Sequence, residues 1–187
     1  MKTSFGDSSA LPADLQRSTR ITFNTDALQL KWHHCSSSAD FLSHFYEGLF
    51  SNEADSADSS DLVHAIAYMA NELIENAVKF RTDGNVVIES GLTEDDFLLR
   101  IDHSISAETS QRFQSLLEKI TDGDPGELLI ERLEANAAGD NANGSGLGLL
   151  TLMNDYGARI SWSFEQPGES PEDPVRVETV ARLALPH

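Results

Sequence analysis

Three groups of residues in this 187-residue chain have the types and spacing for chemistry. The first is Asn71-Glu72-Leu73-Ile74-Glu75-Asn76-Ala77-Val78-Lys79-Phe80. On a helix, Glu72, Asn76 and Lys79 fall at i, i+4 and i+7 and form one polar stripe. It borders an apolar stripe of Leu73, Ala77 and Phe80, which places it at the rim of a core. A carboxylate and an amide oxygen one turn apart can serve one Mg²⁺, which keeps several waters and takes few protein ligands. A glutamate beside it can polarise a water or a hydroxyl as general base. The same stripe also fits a solvated helix face whose Glu/Lys pairs are worth about 0.2–0.5 kcal/mol each.

The second group is Gly144-Ser145-Gly146-Leu147-Gly148-Leu149-Leu150. Glycines let a backbone approach a ligand closely. The free N–H groups and positive end of a following helix make a phosphate seat. Gly148 costs an otherwise leucine-rich helix about 1 kcal/mol against alanine, which favours a close-approach role over a plain flexible loop. The third is Asp102, closing Phe97-Leu98-Leu99-Arg100-Ile101. A carboxylate at a strand's end can accept a hydrogen bond from the exocyclic amine of a base; it can equally cap the turn that follows.

The elements that must position these groups follow from periodicity. Residues 1–18 are polar and small and read as a loose tail; 19–187 form one domain. Strands are expected at 20–23 and 28–32, with a turn at 24–26. Ser36, Ser37 and Ser38 are candidate caps for a helix over 39–50, with Phe41, Phe45 and Phe50 as core. A loop over 51–60 leads to the clearest helix, 61–81, in which Leu62, Ile66, Met69, Leu73, Ala77 and Phe80 recur at steps of three and four. Strands at 86–90 and 97–101 form a hairpin around an acidic turn at 93–96. Helices follow at 107–120 and 126–135, then a stretch over 135–146 with no large apolar residue, which is expected to be mobile. A helix over 147–156 ends at Gly157, and strands at 159–164 and 175–185 finish the chain. Strands joined by short turns pair antiparallel, and the helices need a face to cover. The expected fold is therefore α+β: a two-layer sandwich with a mixed, mostly antiparallel sheet and helices on one face.

Composition narrows the function. With 13 Lys plus Arg against 31 Asp plus Glu, the formal charge is −18. That disfavours an electrostatic grip on nucleic acid or on an anionic membrane, and suits a small ligand or a protein partner. One cysteine, Cys35, excludes an internal disulfide and a cysteine-rich zinc site. The first residues lack a secretory pattern and no apolar run approaches about 20 residues, so the expected compartment is the cytoplasm. His33-His34-Cys35 on a strand would point to alternate faces, a poor metal site. His64 and His103 are lone histidines, expected to be structural or exposed, and Trp32 and Trp162 are expected to pack on strands.

The Glu72–Phe80 helix resembles the N-box of the histidine-kinase-like ATPases, the GHKL group with the Bergerat nucleotide-binding fold. The segment 144–148, followed by Leu-Leu-Thr-Leu-Met and by Gly-Ala-Arg-Ile-Ser-Trp-Ser at 157–163, resembles that group's second glycine box and the strand behind it. The motifs occur in the group's order, and the likeness covers about residues 20–185. The resemblance implies bound ATP and Mg²⁺. It gives Asn76 the metal, Glu72 the role of base, and Lys79 a place near the phosphates. It gives Gly144, Gly146, Leu147 and Gly148 the wrapping of the phosphates, residues 135–146 the ATP lid, and Asp102 the adenine. Here the chain departs from the family: Asp102 is followed by His103-Ser104-Ile105-Ser106 where the family has glycines, which narrows the base pocket. No helical hairpin with a phosphoacceptor histidine accompanies the domain. The size is similar to that of the stand-alone anti-sigma-factor-type serine kinases and partner switches, which act on a small regulator protein. A homodimer, a plain ATPase and a non-catalytic protein-binding module of the same fold stay open.

Overall fold

The computed structural model describes residues 2–7, 15–24, 32–50, 56–82, 84–137, 146–168 and 170–185. Eleven elements follow in order: β1 (Lys2–Gly6), β2 (Gln16–Asn24), α1 (Trp32–Phe50), α2 (Ser56–Phe80), β3 (Asn85–Leu92), β4 (Asp96–Ile105), α3 (Ala107–Asp122), α4 (Pro125–Ala137), α5 (Leu147–Asn154), β5 (Arg159–Glu165) and β6 (Val175–Ala184). The strands make one six-stranded sheet in the order β1-β5-β6-β4-β3-β2. Every pairing among them is antiparallel, so the sheet is not mixed. The fold is α+β.

Alternation along the strands separates two faces. On β4, Phe97, Leu99, Ile101, His103 and Ile105 are buried on the side that carries the helices. Ile88 of β3, Val177, Ala181 and Leu183 of β6, and Ile160, Trp162 and Phe164 of β5 share that layer. From the helices come Leu42 and Tyr46 of α1 and Ile66, Met69, Leu73, Ile74 and Ala77 of α2. Tyr46 sits edge-on to Phe97, with ring centroids 4.7 Å apart, and its hydroxyl donates to Ser90 Oγ at 2.9 Å. That bond pins α1 to the sheet.

The opposite face carries a ladder of charge. Arg20 pairs with Glu89 at 2.6 Å, and Arg100 bridges Glu89 at 3.0 Å and Glu178. Arg159 pairs with Asp96 at 2.5 Å, and Arg176 with Asp102. Cross-strand pairs of this kind are worth about 0.2–1 kcal/mol each and mainly hold register.

Local chemistry accounts for several element ends. Thr93 and Asp96 close the β3–β4 hairpin, with Thr93 N–H donating to the Asp96 carbonyl at 2.8 Å and Asp96 N–H to Thr93 Oγ1 at 2.9 Å. Ser106 caps α3 by accepting from Thr109 N–H at 3.1 Å. Asp124 accepts from Glu127 N–H at 2.9 Å at the start of α4, where Pro125 takes the first helical position. Gly157, at φ +61°, ends the turn after α5.

Several expectations fail. The tail is not wholly loose: Lys2–Gly6 forms an edge strand against β5, with Phe5 packed edge-on to Phe164 at 5.8 Å. Its pairing partner lies far along the chain, so local composition hides it. Trp32 opens α1 instead of lying on a strand, and His33, His34 and Cys35 are helical; residues 25–31 lie outside the described residues. Helix α1 therefore starts before the proposed serine caps, and α2 starts at Ser56, inside the expected loop. Phe41 and Phe45 are 51% and 37% exposed, so they are not core. The buried face of α1 runs through Cys35, Ala39, Leu42 and Tyr46, and a one-residue offset turns each phenylalanine about 100° away from it. Phe80 is likewise 39% exposed at the end of α2. The strand at 159–164 holds Trp162 in the core, as expected. Among the described residues no helix is long and apolar enough to cross a membrane.

Candidate functional site

Helix α2 buries Leu73, Ala77 and their neighbours against the sheet, so Glu72 and Asn76 stand half-buried at the edge of the core, as the stripe requires. Lys79, a turn further on, is exposed, with its ammonium 5.0 Å from the ring centroid of Phe80. The glycine-rich segment enters α5 through Gly146, which is the N-cap at φ +63°, a left-handed conformation that suits glycine. Its carbonyl accepts the first helical bond, from Leu150 N–H at 3.0 Å. A side chain on Gly146 would press on Ile120 and Leu116 of α3 at 3.3–3.4 Å. Leu147 and Gly148 then supply the first turn, whose N–H groups have no carbonyl partner within the helix.

The two constellations meet at one contact. A Cβ built on Gly148 would lie 1.8 Å from Glu72 Oε2 and 2.6 Å from Glu72 Cδ. The carboxylate rests directly on the backbone of the first turn of α5, and a side chain at 148 would force it to move. One turn back along α2 lies Tyr68. The Tyr68 ring stacks on Tyr156, with centroids 5.1 Å apart and planes at 23°. Position 72 thus meets 148, and 68 meets 156, so α2 and α5 run antiparallel along this seam.

Electrostatics sharpen the seam. Burial, and then the charge of Glu75, push the Glu72 carboxyl above the usual carboxylate range. Burial, and then the charge of Glu72, push the Tyr68 hydroxyl up, so it stays protonated at neutral pH. A carboxylate of raised basicity beside a helix start can accept a proton from a hydroxyl or a water.

Asp102 is not part of this seam. It lies three residues inside β4, and its carboxylate takes Arg176 Nε at 2.8 Å on the sheet face opposite the helices. The helix-facing residue is His103, 8% exposed and with Nδ1 lacking a hydrogen-bond partner. Burial pulls its pKa down to about 4 against a smaller opposing pull from Asp102, so the imidazole is neutral. Asp102 does not cap the next segment either; Ser106 does. Gly144 and the central part of the expected lid, residues 138–145, lie outside the described residues. Cys35 is buried, and burial followed by the charge of Glu75 raises its thiol pKa, the opposite of an activated nucleophile. His64 is exposed.

Among the described residues no group of three or more His, Cys, Asp or Glu side chains could hold a metal ion. Magnesium does not require one, since one or two protein oxygens and the substrate's phosphates suffice. Tyr68 and Tyr156 were not singled out in the sequence. Tyr68 lies four residues before Glu72, on the same stripe, and that spacing is the available signal.

No protein-family model matches the chain, and no curated protein matches it either.

Proposed function

We propose that this chain is an ATP- and Mg²⁺-binding domain of the histidine-kinase-like ATPase group. It acts as a small serine/threonine kinase or partner switch on a regulator protein in cytoplasmic signalling. The observation that carries the reading is the contact between Glu72 and Gly148. It joins a carboxylate–amide stripe to the start of a glycine-entered helix, with no side chain between them. Asn76 offers its amide oxygen to the cation, one turn from Glu72. Gly146 and Leu147–Gly148 place the backbone of the first turn and the positive end of α5 toward phosphate oxygens. When bound, Mg²⁺ would offset charge on the transferred phosphoryl group. Glu72, its basicity raised by burial, would accept the proton of the acceptor hydroxyl.

A second reading has its own support. Asp102 is tied to Arg176 on the far face, so the base would lack the carboxylate that the family uses. That favours a module of the same fold that works through protein contacts. Thermal unfolding with and without millimolar Mg·ATP separates the two. At one hundred times Kd a ligand adds about 2.7 kcal/mol, a rise of roughly 5–10 °C for a chain of this size. Asn76→Ala is expected to remove the magnesium-dependent part. No shift in the wild type would leave the protein-binding module, and phosphosite mapping on a captured partner would distinguish a kinase from an ATPase.

A further inference from the structure

Helix α4 is loosely tied to the core. None of its residues is fully buried, and it holds on through Leu128 and Leu129, which are partly buried against the core. Its start lies on α5, where a Cβ on Gly126 would be 2.8 Å from Asn154 Oδ1. Its outer side carries Ile130, Leu133 and Ala137 at i, i+3 and i+7, which puts them on one stripe. Ile130 is 60% and Leu133 52% exposed, the two highest values for large apolar residues among those described, and Ala137 is exposed as well. Beside this stripe runs a second row, Glu127, Glu131 and Glu134, all exposed. On the sheet, Glu89, Asp96, Asp102 and Glu178 each face an arginine. Among the described residues no cation pairs with the three glutamates of α4. Like charges one turn apart weaken a helix, and an uncovered apolar stripe gains nothing from water. One partner can remove both defects.

We propose that this face of α4 docks a basic amphipathic helix of a protein partner. From Ile130 to Ala137 the stripe runs about 10 Å, two turns, the span that an apolar row at i, i+3 and i+7 of a packed helix covers. Lysines or arginines on one flank of that helix meet the glutamate row. The chain's own segment between α4 and α5, residues 138–145, holds no apolar side chain larger than alanine, so it cannot cover the stripe. A second copy brings the same three glutamates and a formal charge of −18, so like charges meet. Nucleic acid and anionic lipid are repelled for the same reason. The inference deepens the proposed function and rests on it for what the partner does there; the contact itself needs no nucleotide. Because α4 packs on α5, a docked partner stands beside the helix whose first turn meets Glu72.

The probe is a synthetic peptide of about 18 residues, with leucine at i, i+3, i+4 and i+7 and lysine on the flanks, against a scrambled peptide of the same composition. Binding to the full chain is read by fluorescence anisotropy at physiological salt, without nucleotide. The patterned peptide is expected to bind at least about tenfold more tightly than the scrambled one, because only it presents a continuous apolar stripe. Ile130→Ser and Leu133→Ser are each expected to weaken binding about tenfold, the least that burying a side chain of this size is worth. Both positions are exposed, and an unchanged thermal midpoint checks that the fold is kept. Replacing Glu127, Glu131 and Glu134 together by Gln is expected to weaken binding about tenfold and to flatten its salt dependence. The same change of charge at Glu94, Glu165 and Glu172, exposed and outside α4, is expected to stay within about twofold. Equal binding of the two peptides, equal weakening by the two triple variants, or no binding at all overturns the proposal. So does a wild-type dimer in sedimentation that Leu133→Ser dissociates, which seats a second copy on the stripe. Peptide binding in a chain that Mg·ATP does not stabilise ends the nucleotide reading and leaves the docking face standing.

Discussion

Gly148→Ala is the sharpest probe of the contact on which the site depends. In a helix, alanine is worth about 1 kcal/mol more than glycine, so an unconstrained Gly148→Ala would stabilise the protein by that amount. Here the new Cβ would fall 1.8 Å from Glu72 Oε2 and 2.6 Å from Cδ, so the carboxylate must leave. The end of a glutamate can rotate away, at about 0.5–1.5 kcal/mol for a displaced rotamer. The two effects offset each other, and the net stability change is expected to be close to zero. Glu72→Ala removes the obstacle. In that background Gly148→Ala is expected to recover the full gain of about 1 kcal/mol, or roughly 2–4 °C in Tm. The assay is a four-member thermal-unfolding cycle, repeated with Mg·ATP. The single Gly148→Ala variant is expected to lose the nucleotide-dependent rise, because its displaced carboxylate and added methyl group crowd the phosphate seat. An equal gain from Gly148→Ala in both backgrounds would refute the contact, and with it the joining of the two motifs.

Three further outcomes are expected. His103 is neutral in the fold, with its pKa lowered from 6.5 to about 4, so the unfolded chain binds the extra proton below pH 6.5. Stability should therefore hold above about pH 6.5 and fall as pH drops toward 4, by up to about 3 kcal/mol, and His103→Phe should flatten that limb in urea titrations. Asp102→Asn is expected to cost about 0.5 kcal/mol through Arg176 and to leave the Mg·ATP shift within about twofold in affinity; a tenfold loss would return Asp102 to the base pocket. Tyr46→Phe strands Ser90 in the core and should cost about 1–2 kcal/mol in chemical denaturation, whereas Phe41→Ala on the exposed side of α1 should cost less than about 1 kcal/mol.

Much was legible in the residues alone because the signals are local. The stripe through Leu62, Ile66, Met69 and Leu73 is a helical repeat, and it placed Glu72 and Asn76 at a core edge, where they stand. The hairpin of β3 and β4 followed from alternation and a turn of Thr93 to Asp96. Alternation also held a clue that a strand-end reading of Asp102 overrode. Phe97, Leu99 and Ile101 point inward, so Asp102 points outward by parity, provided that the strand continues past it, as it does to Ile105. Other features have no local signature. β1 exists because β5, more than 150 residues later, offers it a ladder, and so few residues carry too little apolar pattern to announce it. The side of α1 that faces inward depends on where α2 lies, which is why Phe41 and Phe45 misled. That Glu72 touches Gly148, and that Tyr68 stacks on Tyr156, depends on two segments meeting at one register, a distance that neither encodes alone. Residue type and period determined which chemistry was available; the packing of α2 against α5 decided which of those groups meet, because side-chain reach is a few ångströms and only the folded chain sets spacing that fine.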